Sequence, residues 1–404
     1  MFGFNKKVQS HEMNHDFSYI PGNVFYFDSA CQTMRPFEVI SAEEEYYMKY
    51  NACGHRVKYK WGEKVDIKVD ETREKLLKYV KKSKDEYTVA FTLNTTYGIN
   101  LILSQLGEDK YESIVTSDIE HNSVFLPTMT FAKRAGINRV VLDRADDGSL
   151  IYSKTDLKRA VVVLNSTSNI DARNLLNVKK LADDIHDEGG ILILDSAQTM
   201  GHSPELLHGV DFDALCTSGH KMYGPSLGII IIKKSLIKQL KPTWIGGGTV
   251  SDVQKDTFVL IDDEEELYSR LETGLQDFAA IISLHATLEW IDNYKPEGKH
   301  ADDHTKELQT MVFENLSYIP GLHILGSPDG GTFSMYHEGI DSHTLALYAS
   351  EQNIMMRSGY FCCHYYLKNK LKLPPLLRLS LGLHNTKAEV EFVLTTLERL
   401  FKTR

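Results

Sequence analysis

The chain has 404 residues, 42% hydrophobic and 25% charged, more than one ordinary core holds, so a globular protein of two domains is expected. Its formal net charge of −10 speaks against a nucleic-acid binder, which carries a basic surface. No apolar run approaches membrane-spanning length, and five cysteines, two of them adjacent, do not make a disulfide framework, so a reducing cytoplasmic setting without membrane contact is expected.

In chain order, Met1-Phe2-Gly3-Phe4-Asn5-Lys6-Lys7 lacks the apolar region of a signal peptide. His11-Glu12-Met13-Asn14-His15 spells a zinc metalloprotease pattern, but in a polar stretch with no apolar face to form the buried helix that such a site needs. It reads as coincidence, and no metal is expected. Tyr87–Leu93 reads as a strand, with Asn94-Thr95-Thr96 at its end and an apolar helix after it. Hydroxyls there serve either as a helix cap or as part of a phosphate cradle. Ser113–Thr116 and the residues that follow lead to Glu120-His121, where His121 by itself is an ordinary loop histidine.

Val161-Val162-Val163-Leu164 reads as a buried strand ending at Asn165. Val178, Leu181, Ala182 and Ile185 give helical spacing, Gly189-Gly190 ends that helix, and the strand Ile191–Leu194 follows at once. Strand, helix and strand in so short a span form a βαβ unit, hence a largely parallel sheet whose ligands bind beyond the carboxyl ends of its strands. Asn94–Thr96, Asn165 and Asp195 all fall there. Asp195 alone is equally a helix N-cap; Gln198 beside it favours a ligand.

Lys221 lies in Ser218-Gly219-His220-Lys221-Met222-Tyr223-Gly224-Pro225, a tight turn between Asp213–Ser218 and the strand Gly228–Ile232. A lone lysine is usually a solvated surface charge. A lysine in such a turn, with an acid at the end of a neighbouring buried strand, suits pyridoxal 5′-phosphate (PLP): the lysine forms its Schiff base and the acid holds its ring nitrogen protonated. Further on, 277–294 reads as a long helix broken by Pro296-Glu297-Gly298. The remainder reads as α+β, with strands near 331–336 and 376–381 and a last helix from Lys387, so a domain boundary is expected near 290.

With these residues in this order, the chain resembles the PLP-dependent cysteine desulfurases of the class V aminotransferase group over about residues 23–400, most closely the form with Ser-Gly-His-Lys and a short loop around the reactive cysteine. The resemblance implies the α/β type I fold of PLP-dependent transferases. Its mainly parallel large domain would span 23–290, and a smaller α+β domain 1–22 plus 291–404. It also implies a homodimer and a possible sulfur-acceptor protein as partner.

Carried over residue by residue, Lys221 is the Schiff-base lysine, Asp195 the partner of the ring nitrogen, and Gln198 that of the ring's phenolic oxygen. His121 stacks on the ring and is a base for the incoming thiol. Thr95, Thr96, Ser218 and His220 cradle the phosphate, and Asn169 touches both cofactor and substrate carboxylate. Arg378, in the family's Arg-x-Ser, and Arg357 take the substrate α-carboxylate. In Arg357-Ser358-Gly359-Tyr360-Phe361-Cys362 the spacing makes Cys362 the sulfur-accepting nucleophile, with Cys363 as an alternative nucleophile or resolving thiol. Cys31, Cys53 and Cys216 read as core.

The expected reaction converts L-cysteine to L-alanine, leaving a persulfide on the enzyme. A selenocysteine lyase, another C–S lyase and a class V aminotransferase are the enzymatic alternatives, and a PLP-binding sulfur-relay protein the non-enzymatic one. Three departures from the family pattern stand out. Leu275, in Arg270-Leu271-Glu272-Thr273-Gly274-Leu275-Gln276, replaces the threonine that reaches the partner subunit's phosphate, with Thr273 as a nearby substitute. No glycine follows Asn169, and the cysteine loop carries bulky Tyr360, Phe361, Tyr365 and Tyr366.

Overall fold

A computed structural model describes residues 15–402 except Arg56; the metalloprotease-like pattern, apart from His15, lies outside the described residues. The apolar runs of the first half become the strands of one seven-stranded sheet. Its order is Tyr87–Thr92, Gly228–Lys233, Ala214–Ser218, Ile191–Asp195, Ala160–Asn165, Ser113–Ser117 and Asn138–Leu142. All run parallel except Gly228–Lys233, which is antiparallel to both neighbours. Successive side chains on a strand point to opposite faces. Val162, Leu164, Leu192 and Leu194 therefore enter one core, and Val161, Val163 and Ile193 the other, all fully buried. Both faces are covered, so these strands are continuously apolar rather than alternating.

The helix expected over 277–294 is Phe278–Asn293, capped by the Asp277 side chain, which accepts from Ala280 N. It packs against the helices Phe37–Lys49 and Lys60–Tyr79. After a turn at Pro296–Gly298, the chain builds an antiparallel four-stranded sheet, ordered Leu322–Leu325, Thr332–His337, Leu376–Ser380 and Arg357–Gly359. The helices Ala301–Ser317 and Lys387–Lys402 contribute to its core. Phe25 and Phe27 also lie in that smaller core, and Phe25–Tyr26 pairs in parallel with Ile354–Met355. The chain thus visits the second core first, then crosses to the large sheet through residues 28–33. No described helix is long and apolar enough to cross a membrane.

The carboxyl ends of the parallel strands deliver Asn94–Thr96, His121, Asn165, Asp195 and Lys221 to one edge of the large sheet. Gly228 lets the antiparallel strand start there: a Cβ on it would stand 2.5 Å from Asn94 N.

Candidate active site

Thr95, Thr96, His121, Asn169, Asp195, Gln198, Ser218, His220 and Lys221, the residues expected around a cofactor, all line one cavity of about 250 Å³. Asn94, Ser123, Asn165 and Thr167 line it too. Asp195 ends its strand and is 5% exposed. No helix starts after it, which removes the N-cap reading. Its Oδ1 accepts from Ala197 N at 3.0 Å, and no described protein donor takes its other oxygen. Burial raises its pKa against the pull of Ala197 N and Lys221. Lys221 is mostly buried at the end of the short turn Gly219–Lys221, and no described group hydrogen-bonds its Nζ. Burial lowers its pKa, Asp195 opposes that, and Arg378 adds to it.

An unpartnered amine and a half-used buried carboxylate on one small cavity leave polar groups that something other than protein must satisfy. The cavity's remaining wall fits a phosphate. Asn94 Oδ1 caps the helix Thr95–Gln105 by accepting from Tyr97 N at 2.9 Å, so the threonines are free of that task. Ser218 Oγ accepts from Thr95 N at 2.8 Å and lies 2.6 Å from Thr95 Oγ1, while Thr96 Oγ1 meets Ser123 Oγ at 2.7 Å. Hydroxyls at a helix N-terminus offer donors where the macrodipole favours an anion. Burial, then Lys221 and Arg35, push His220 down to about 4, so it is neutral there.

Asp28, not singled out in the sequence, ties together the two arginines expected to meet a substrate. Arg357 Nε donates to its Oδ2 at 2.9 Å and Arg378 Nη2 to its Oδ1 at 3.0 Å. The two arginines face each other in register across antiparallel strands, where like charges repel. The shared carboxylate makes that juxtaposition tolerable. Arg378 is 3% exposed, donates through Nη1 to Asn169 O at 3.1 Å, stacks under the Phe361 ring, and keeps a buried Nε without a protein partner.

Asn169 is spent on the cysteine loop: its Nδ2 donates to Phe361 O at 2.9 Å and its Oδ1 accepts from Cys363 Sγ at 3.1 Å. Gln198 Nε2 donates to Ala30 O at 2.8 Å. Cys362 is exposed, and its carbonyl accepts from Asn122 N at 2.7 Å. Cys363 is buried, and burial drives its thiol far above the ordinary range.

Of the three cysteines expected in the core, only Cys216 is there. Cys53 is exposed in the loop between two helices, and Cys31 is partly exposed. Cys31 sits in a turn fixed by Ala30 O on Gln198 and by Thr33 N donating to His220 O at 2.9 Å, within electrostatic reach of Lys221, Arg357 and Arg378.

The family described as aminotransferase class-V matches residues 25–393. The chain belongs to this family. Its class V relatives include a probable cysteine desulfurase of Methanothermobacter thermautotrophicus, 30% identical over 389 residues, or 93% of this chain and 94% of that one. Cysteine desulfurase CsdA of Escherichia coli is 25% identical over 383 residues, 93% of both chains. Among solved structures, the apo cysteine desulfurase of Thermococcus onnurineus NA1 superposes with a TM-score of 0.86 at 28% identity, covering 98% of this chain and 100% of its own. This class V chain is a PLP-dependent enzyme of the cysteine desulfurase family with the type I fold.

One departure from the class V pattern is visible in three dimensions. Glu272 is buried, accepting from both Nη atoms of Arg73 at 2.8 Å and from Phe91 N at 2.6 Å. From that anchor the loop projects outward: Gly274 adopts φ +88° and Leu275 is 77% exposed. Thr273, the nearby hydroxyl, donates to Trp244 O at 3.0 Å.

Proposed function

We propose that this enzyme removes the sulfur of L-cysteine, releasing L-alanine and leaving the sulfur as a persulfide on Cys362. The reading is carried by the unpartnered Lys221 and the half-used Asp195 on one cavity, with an exposed Cys362 on the loop bonded to that cavity's Asn169. The 30%-identical relatives support it. Asp195, Gln198 and the hydroxyls around Thr95 and Ser218 would hold PLP, which would supply a protonated ring as an electron sink.

The chain's own residues do the rest. Lys221, whose pKa burial lowers, takes and returns the Cα proton. Arg378 and Arg357, fixed on Asp28, receive the α-carboxylate by charge-assisted hydrogen bonds. Cys362 thiolate attacks the substrate sulfur: an S–S bond forms, the Cβ–S bond breaks with its electron pair staying on carbon, and protonation there completes alanine. We assign the catalytic work to Lys221, Cys362 and His121, with Asn169 bridging cofactor site and cysteine loop.

The proposal includes two domains dividing near residue 290, with 25–27 counted with the smaller core because Phe25 and Phe27 pack there. It also includes a cytoplasmic homodimer that passes sulfur to an acceptor protein. A homodimer would cover Val253, Phe258 and Val259 on the hairpin Val250–Val253/Phe258–Leu260, exposed like nearby Trp244 and Leu275.

The test is an absorption spectrum of the purified protein before and after L-cysteine, with alanine and sulfide quantified under reductant. A cofactor band that shifts with cysteine, with equal alanine and sulfide, is expected. A yellow protein making no alanine redirects the reading to selenocysteine or other C–S substrates; a protein that takes up no PLP overturns it.

A further inference from the structure

Ser123 joins the two helix starts that border the cavity. Its hydroxyl lies 2.7 Å from Thr96 Oγ1 and 2.7 Å from His121 Nδ1, and its main-chain N–H donates to the same Nδ1 at 3.0 Å. His121 is the N-cap of the helix Asn122–Ala135, and accepting a main-chain N–H is what an N-cap side chain does. A ring nitrogen that accepts an N–H carries no proton of its own, so the neutral ring holds its proton on Nε2. Neutral it stays: burial, then Lys221 and Arg378, push its pKa down to about 3.

The proton order along the chain of hydroxyls follows. Nδ1 only accepts, so the Ser123 hydroxyl donates a hydrogen bond to it, and the Ser123 oxygen accepts from Thr96. Two hydroxyls then donate in series towards the ring, Thr96 to Ser123 and Ser123 to Nδ1, each bond polarising the next. Ser123 is 5% exposed, which leaves little room for water to break the series. The one polar atom that His121 has left to offer the cavity is Nε2–H.

We propose that Ser123 is a positioning residue that fixes His121 in the Nε2–H tautomer, so that the ring meets bound cofactor or substrate as a hydrogen-bond donor and not as a base. The base expected at His121 for the incoming thiol is then supplied elsewhere, with Lys221 the amine available on the same cavity. What the donor does in turnover rests on the proposed desulfurase reaction; the tautomer itself does not.

The test is two-bond 15N–1H correlation on holoenzyme carrying 15N-histidine, with the His121 signals assigned by their loss in His121→Asn. An unprotonated Nδ1 and a protonated Nε2 are expected throughout the neutral pH range. In Ser123→Ala the main-chain N–H to Nδ1 remains, so the Nδ1 signal moves only part of the way towards that of an unbonded ring nitrogen, and kcat falls about tenfold with KM nearly unchanged. Ser123→Thr, which keeps the hydroxyl, restores both. A protonated Nδ1 in the unaltered enzyme overturns the proposal, as does a folded Ser123→Ala enzyme with neither shift nor kcat moved. If the enzyme proves not to desulfurate cysteine, the tautomer is still decided by the same spectra, so the two failures are told apart.

Discussion

At the adjacent thiols the backbone passes through two left-handed residues, Phe361 at φ +46° and Cys362 at φ +59°. That conformation strains any residue with a Cβ, and bonds to the Phe361 and Cys362 carbonyls hold it. It turns Cys362 outward and Cys363 inward, where the buried thiol stays protonated and serves Asn169 as a donor. Cys362→Ser should therefore lose at least about 100-fold in alanine formation from L-cysteine while keeping the cofactor band. Cys363→Ser, which keeps a donor to Asn169, should retain turnover within about tenfold. The reverse ranking in the same assay would move the nucleophile to Cys363. Asp28 makes a second residue-scale case, because one carboxylate sets the distance and angle of both arginines proposed to take the substrate carboxylate. Asp28→Asn keeps one acceptor, weakened by the lost charge, and sets an amide NH2 against the other arginine's donor, so KM for L-cysteine should rise at least about tenfold with a smaller change in kcat. A lower kcat at unchanged KM would show that the pair does not hold the ground-state carboxylate.

The helix Thr95–Gln105 shows how an element serves the site by its end alone. Asn94 takes the capping task, which leaves the Thr95 and Thr96 hydroxyls to Ser218, Ser123 and the cavity. Asn94→Ala should cost about 1 kcal/mol in thermal or denaturant unfolding. The same change should speed PLP loss in dialysis, because the frayed turn no longer aims its donors at the phosphate; unchanged retention would separate the cap from the cradle. The strands, the βαβ order and the cavity residues at strand ends were legible in the sequence, since buried apolar runs and the residue after each run are local signals. Asp28 was not, because its partners Arg357 and Arg378 lie more than 300 residues away and only the crossing of chain between the two cores brings them together. Cys31 was misread for the same reason: nothing near it in sequence signals that Gln198 and His220 fix its turn at the cavity rim. The left-handed pair at Phe361 and Cys362 was hidden by its composition, as neither residue favours that region.

Across the whole molecule, burial of uncharged histidines should govern the response to acid. His121, His220 and His384 are held near pH 3, 4 and 4 respectively, each with burial as the leading cause, against an ordinary value of 6.5. Between about pH 6.5 and pH 4 the unfolded chain therefore binds protons at these sites that the folded chain refuses, and stability falls as pH drops. Glu120 works the other way. Burial pushes it up to about 7 from 4.5, with Arg144 opposing, so the folded state holds a proton there that the unfolded chain has lost. Its contribution is greatest near pH 4.5 and fades as pH rises towards 7. Asp195, raised by burial as well, works with Glu120, but the three histidines outweigh them across the shared window, so the net slope favours unfolding in acid, with a loss on the order of a few kcal/mol between neutral pH and about pH 4.5. Denaturant midpoints measured on cofactor-free protein across that range should fall steadily with pH. His384→Gln, donating in the same way to Tyr26 O, should flatten the slope by about one proton. A slope that stays flat, or rises towards acid, would mean that Glu120 outweighs the histidines, and Glu120→Gln would then restore the expected direction.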